Sequence, residues 1–265
     1  MQHTLKRISY FGVTTYIRKK MFDRAPGLYK SLFPDPTSGF IPTAYGVELA
    51  SNWRDGSFRM SVFGGNGSEL DDLLKNRLSK PFTFLDVGAN QGLFSLVAAK
   101  NPACVQALAL EPVPDTFELL HRNVNHAEQS AKIQCIPAAV SSHSGGAEIK
   151  IRDGHSGAAS MTDRDLGGRD VVSIKTKDAQ ALDALLDDPS DLVVKIDVEG
   201  FEEVVVPELL KLDAAQRITH FYCEIDLGWV DFDKISKALS DAGLTDQVKH
   251  GRKRKFDLMA RRPQR

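Results

Sequence analysis

Asp86-Val87-Gly88-Ala89-Asn90-Gln91-Gly92 sets a carboxylate, two amides and two glycines in one short stretch, directly after the apolar run 82–87. Glycine permits a tight strand-to-helix turn and lets a ligand approach the backbone with no Cβ in the way. The stretch therefore predicts a cofactor loop whose binding residues are Asp86, Gly88, Asn90 and Gly92, opening a helix over residues 93–100.

Charge selects the cofactor. A dinucleotide carries a pyrophosphate, so its loop takes the form G-x-G-x-x-G with no anion beside the phosphates. Counted from Gly88, the second and third glycines of that pattern fall on Asn90 and Leu93, and Asp86 lies beside the loop. S-adenosylmethionine has the opposite character: an ammonium, a sulfonium and no phosphate. Unit charges about 4 Å apart interact by about 1 kcal/mol in water and about 4 kcal/mol at an effective dielectric of about 20, so the acid favours that ligand. A nicotinamide-dependent oxidoreductase is the alternative that the broken glycine pattern argues against.

Glu111 ends a second apolar run, 25 positions after Asp86. Doubly wound folds place an acid there to accept both hydroxyls of a ribose. Its other reading is a cap acid ahead of Pro112 and Pro114. Lys195-Ile196-Asp197-Val198-Glu199-Gly200 repeats the logic of the first loop: an apolar strand delivers Asp197 to a crevice and glycine opens the next turn. Charged groups in such a run are costly to bury unless paired, so Lys195 and Asp197 mark either a site or a structural ion pair. Glu224 and Asp226 end a further run in the same way. Asn123, in helical phase with Phe117 and Leu120, reads as a residue that ends its helix or pins a loop.

These residues need elements to hold them. From residue 81 onward, short apolar runs alternate with helical patterns, as a parallel sheet with crossover helices requires. Strands are expected at 82–87, 105–111, 133–138, 192–197 and 218–224, with helices at 93–100, 115–125, 201–212 and 232–242. Additional strands at 147–151 and 171–176 flank a glycine-rich loop, 152–170, that is either an active-site flap or an insert. Before the cofactor loop, residues 52–63 read as a hairpin turning at Asp55-Gly56, and Ser68 with Asp71 as a helix start. Residues 1–67 form an N-terminal cap or extension and 68–265 the main domain.

Composition narrows the setting. Lys plus Arg number 34 against 35 Asp plus Glu, a formal charge of −1, which argues against a surface built for nucleic acid. Arg252-Lys253-Arg254-Lys255 reads as a charged turn before a last strand. Three scattered cysteines form no C-x-x-C pair and fit a reduced, cytoplasmic setting. No apolar run is long enough to span a membrane. Residues 1–30 read as a helix packing one face on the domain, or as a basic amphipathic segment on an acidic surface.

Asp86-Val87-Gly88-Ala89-Asn90, Glu111-Pro112, Leu182-Asp183 and Lys195-Ile196-Asp197-Val198-Glu199-Gly200-Phe201-Glu202, followed by a strand ending at Glu224, resemble the FkbM family of S-adenosylmethionine-dependent methyltransferases. The likeness covers roughly residues 68–226. It implies the Rossmann-like class I methyltransferase fold, a doubly wound, mostly parallel α/β sheet with helices on both faces. It also implies methyl transfer to a hydroxyl oxygen of a sugar, glycan or secondary metabolite. Gln91 and Ser141-Ser142 depart from the family pattern. A base beside the hydroxyl contributes roughly 100- to 10,000-fold, and Asp197 is the first candidate, with Glu199, Glu224 and His155 as alternatives. Asp197, Glu224 and Asp226 together suggest a magnesium site. A protein that binds the cofactor without turnover is the competing class.

Overall fold

The computed structural model describes residues 2–65, 67–151, 170–251 and 254–263. Two helices come first, α1 (Gln2–Arg24), kinked at Gly12, and α2 (Pro26–Leu32). Strands β1 (Phe40–Pro42) and β2 (Glu48–Ala50) pair antiparallel, followed by α3 (Gly56–Val62) and α4 (Ser68–Asp72). The expected hairpin at 52–63 is therefore a helix. Asp55 does not turn a hairpin there. Its Oδ1 accepts the Phe58 N–H at 2.8 Å as an N-cap, and Phe58 and Val62, one turn apart, bury the inner face. Helix α4 begins at Ser68 as expected, but Gly67 holds the cap position in a left-handed conformation.

Strands and helices then alternate: β3 (Phe82–Val87), α5 (Leu93–Lys100), β4 (Cys104–Leu110), α6 (Pro114–His126) and β5 (Ile133–Ile136). A side sheet follows, with β6 (Ala139–Val140), β7 (Gly145–Ile151) and β8 (Asp170–Lys177). The chain returns through α7 (Ala179–Asp183), β9 (Asp191–Ile196), α8 (Glu202–Leu209), β10 (Ile218–Asp226) and α9 (Phe232–Asp241) to the hairpin of β11 (Asp246–Gly251) and β12 (Lys255–Arg261). Among the described residues, seven strands form the main sheet in the order β11-β12-β10-β9-β3-β4-β5. The five from β10 to β5 are parallel, and β12 and β11 close one edge antiparallel. Strand β11 was not expected from sequence. The strand order reverses between β3 and β9, which opens a crevice at their carboxyl ends.

Parallel strands buried on both faces are continuously apolar rather than alternating, and all six residues of β3 are buried. One face of the sheet packs Leu85, Val87, Leu108, Val194, Ile196 and Ile225 against α7, α8 and α9. The other packs Phe82, Phe84, Val193 and Tyr222 against α5, α6 and the residues before β3, including Tyr29, Tyr45, Leu49, Phe58 and Phe63. Helices thus cover both faces of the sheet. Among the described residues, no helix is long and apolar enough to cross a membrane.

Candidate active site

The two loops singled out by sequence lie against each other. Strands β3 and β9 pair in register with Asp86 opposite Lys195, and the Asp197 N–H donates to the Val87 carbonyl at 3.1 Å. Gly88 has φ 75°, and a Cβ there would stand 1.9 Å from the Asp197 carbonyl oxygen. That approach is what requires glycine. Gly92, with φ 89°, caps α5, and a Cβ on it would meet Leu120 at 2.6 Å.

Asp86 is fully buried. Its Oδ2 accepts the Ser95 hydroxyl at 2.7 Å and its Oδ1 lies 3.1 Å from Lys195 Nζ. That ammonium also donates to the Gly88 carbonyl and stands 3.9 Å from Asp197 Oδ2. Burial alone would depress Lys195, but Asp86, Asp197 and Glu111 outweigh it and hold the ammonium above its ordinary range. Asp86 therefore acts on the loop through Lys195 and the Gly88 carbonyl and does not itself line the cavity.

That cavity encloses about 600 Å³ including its mouth. Gly88, Asn90, Glu111 and Pro112 line it together with an apolar group, Ala139, Val140 and Ile149, and with Asp197, Val198 and Glu199. Gly88, Asn90, Glu111, Asp197 and Glu199 thus share one cavity, while Asp86 and Gly92 sit behind it. Glu111 accepts the Asn90 N–H on Oε2 and the Val113 N–H on Oε1, each at 3.0 Å. Burial pushes its carboxyl up to about 7 against the pull of those two amides and Lys195.

Glu224 lies on β10, the strand beside β9, and opposite Asp257 of β12. Asp197 first, then burial and Asp257, push its carboxyl up to about 9. Burial and then Asp197 push Glu199 up to about 8, and burial pushes Glu202 up to about 7. Near neutral pH, then, Glu224 and Glu199 hold their protons in the field of Asp197. Glu199, with φ 48° in the left-handed region, lines the cavity just ahead of Gly200.

Asp226 turns elsewhere. It accepts from Arg254 Nε at 2.9 Å, and Lys255 Nζ is 3.4 Å away. Burial alone would raise it, but the Gly228 N–H and Arg254 hold it below the usual carboxylate range. Among the described residues, no three His, Cys, Asp or Glu side chains are placed to hold a metal ion, so the suggested set of Asp197, Glu224 and Asp226 does not assemble. Arg254 and Lys255, half of the basic run, are engaged with this acid. His155, residues 152–169 of the glycine-rich loop and Arg252-Lys253 lie outside the described residues.

Asn123 pins the loop: its Nδ2 donates to the Gln91 carbonyl at 2.8 Å and its Oδ1 accepts the Ala50 N–H at 2.7 Å. Gln91, a departure from the family pattern, donates to Asp55 Oδ1 at 3.0 Å. Sequence reasoning missed Asp257 and the apolar group. The alternation Lys255-Phe256-Asp257-Leu258 was the available signal for the first, since Phe256 and Leu258 are buried and Asp257 takes the opposite face.

Residues 86–245 match the family model described as the methyltransferase FkbM domain. Solved structures are similar to the chain at low identity. A precorrin-6y C5,15-methyltransferase from Geobacter metallireducens is 13% identical over 77% of this chain and 90% of that one, with a TM-score of 0.43. A methyltransferase FkbM from Methylobacillus flagellatus is 14% identical over 70% of this chain and 45% of that one, with a TM-score of 0.44. TrmK of M. capricolum, solved with S-adenosyl-homocysteine, is 10% identical over 75% and 70%, with a TM-score of 0.43. No curated protein matches the sequence. The mostly parallel sheet covered by helices on both faces is the Rossmann-like fold of class I methyltransferases. With the matched segment running from Asp86 to Thr245, more than half of the 265 residues, the chain belongs to the FkbM methyltransferase family.

Proposed function

We propose that this protein methylates a hydroxyl oxygen on a sugar, glycan or secondary metabolite, using S-adenosylmethionine. The observation that carries the reading is one cavity lined by Glu111, by the apolar Ala139, Val140 and Ile149, and by Asp197 and Glu199. That lining fits the cofactor: acidic oxygens accept from ribose hydroxyls and an ammonium, and the apolar side chains suit an adenine ring. When bound, the cofactor supplies an electrophilic methyl group on its sulfonium.

The chain's own residues then have separable tasks. Glu111 accepts the ribose hydroxyls, with its position fixed by the Asn90 and Val113 amides. Lys195 ties the Gly88 carbonyl to Asp86, so the loop does not shift when a ligand enters. Asp197 takes the acceptor's proton. Glu199 and Glu224 suit that job less, because their protons are retained to about 8 and about 9.

Asp197→Asn tests the assignment. Incubated with isotopically labelled methyl donor and a fractionated cell extract, the wild type is expected to label a hydroxyl-bearing compound identifiable by mass spectrometry. The variant should bind the cofactor in calorimetry yet transfer roughly 100- to 10,000-fold more slowly. Label on a nitrogen or carbon would end the oxygen reading. Undiminished transfer by the variant would end the role of Asp197.

A further inference from the structure

We propose that the outer face of α1 and α2 docks on an anionic lipid bilayer. Residues 1–30 contain seven basic side chains (Lys6, Arg7, Arg18, Lys19, Lys20, Arg24 and Lys30) and one acid, Asp23, giving +6 in a chain of net −1 and leaving −7 on the remainder. Asp23 is engaged with Lys19 at 2.7 Å. A charge this unevenly placed is a feature of association rather than of folding.

The structure shows how that charge is presented. Phe11, Met21 and Phe22 of α1 pack inward on the core, and Arg18 donates to the Tyr29 hydroxyl at 2.7 Å, which ties α1 to α2. The opposite stripe carries Val13, Ile17, Lys20 and Arg24 at helical spacing, all exposed. On α2, Tyr29 is buried while Leu28 and Leu32, one turn apart, face out. Val13, Ile17, Leu28 and Leu32 are each more than half exposed. Of the eleven large apolar side chains exposed among the described residues, six lie between Tyr10 and Phe33, so the concentration is not random scatter.

Interleaved aliphatic and basic groups on a helix face match the interface of an acidic bilayer, where lipid phosphates take the charges and the acyl boundary takes the side chains. A nucleic acid would use the charges but would gain nothing from Val13, Ile17, Leu28 and Leu32. A second copy of the chain paired face to face would bring the same positive charge and repel.

The experiment is co-sedimentation of the full chain with vesicles of phosphatidylcholine alone and of phosphatidylcholine mixed with phosphatidylglycerol. Binding is expected only to the second, and should weaken at about 1 M salt, where charges are screened beyond about 3 Å. Lys20→Glu with Arg24→Glu should lower it by more than about twentyfold, since each basic residue near such a surface contributes about fivefold. Ile17→Asn with Leu28→Asn, which removes apolar surface without adding charge, should also lower it, with the melting curves of all variants unchanged because the sites are exposed. No binding to the acidic vesicles overturns the proposal, as does binding that the Ile17 and Leu28 pair leaves intact, which would be charge attraction alone. A wild type sedimenting at twice 29.2 kDa that the same pair makes monomeric assigns the face to a second copy instead.

Discussion

At the scale of single residues, the site concentrates like charges and then manages them. Asp197, Glu199, Glu224 and Asp257 stand near one another, and Lys255 offsets them only in part. Glu224 and Glu199 respond by holding protons, and this has a consequence for stability. An acid raised in the folded state binds its proton more tightly there than in the unfolded chain. Its stabilising contribution is complete below the ordinary value of 4.5 and is lost as pH climbs toward about 9. The cofactor-free protein should therefore weaken steadily from mildly acid to alkaline pH. Each proton held by the native state alone contributes at most about 1.4 kcal/mol per pH unit to that slope. Glu224→Gln should flatten the alkaline part, leaving the variant more stable than the wild type at about pH 9 and little changed in acid. Urea midpoints across the pH range would check this, and parallel curves for the two proteins would contradict it.

At the scale of elements, the cofactor loop is held from outside by residues distant in sequence. Asn123 of α6 bridges the Gln91 carbonyl and the Ala50 N–H of β2, and both bonds are buried. Asn123→Ala leaves a donor and an acceptor buried without partners, at about 1–3 kcal/mol for each. The expected result is a lowered urea midpoint together with weaker calorimetric binding of S-adenosylmethionine, because the loop loses its anchor. A stability loss with unchanged affinity would show that the loop holds its shape unaided. How such contacts read in the sequence is instructive. The loops at Asp86 and Lys195 were visible because charged residues at the ends of apolar runs have few structural uses. That Asp86 faces Lys195 rather than the cavity depends on a register between strands more than 100 residues apart, which local pattern does not encode. Asp55-Gly56 is ambiguous for a related reason: the dipeptide serves equally as a turn or as a helix cap, and the burial of Phe58 and Val62 decides between them. Strand β11 is short on apolar residues because it is an edge, so it carried little signal.

At the scale of the whole molecule, the residues before Ser68 look separable by sequence, with their prolines, glycines and lack of motif. Packing joins them to the sheet. Tyr29, Ile41, Tyr45, Leu49, Phe58, Val62 and Phe63 are buried in the same cluster as Phe82, Phe84, Val193 and Tyr222. Each fully buried large side chain is worth about 1.5–3 kcal/mol, so these seven together match or exceed the 5–15 kcal/mol, roughly, by which a domain is stable. A chain beginning at Ser68 keeps the whole family-matched segment and every proposed cofactor contact, yet should not fold, because one face of its sheet would meet water. Loss of α1 alone is a milder change, since Phe11, Met21 and Phe22 are only partly buried there. A chain beginning at Ala25 is therefore expected to fold with reduced stability, and one beginning at Ser68 to precipitate or to show no cooperative melting transition. If the shorter chain instead melts cooperatively and binds S-adenosylmethionine, the N-terminal segment is a true appendage. The shared aromatic cluster would then be packing that the sheet can do without.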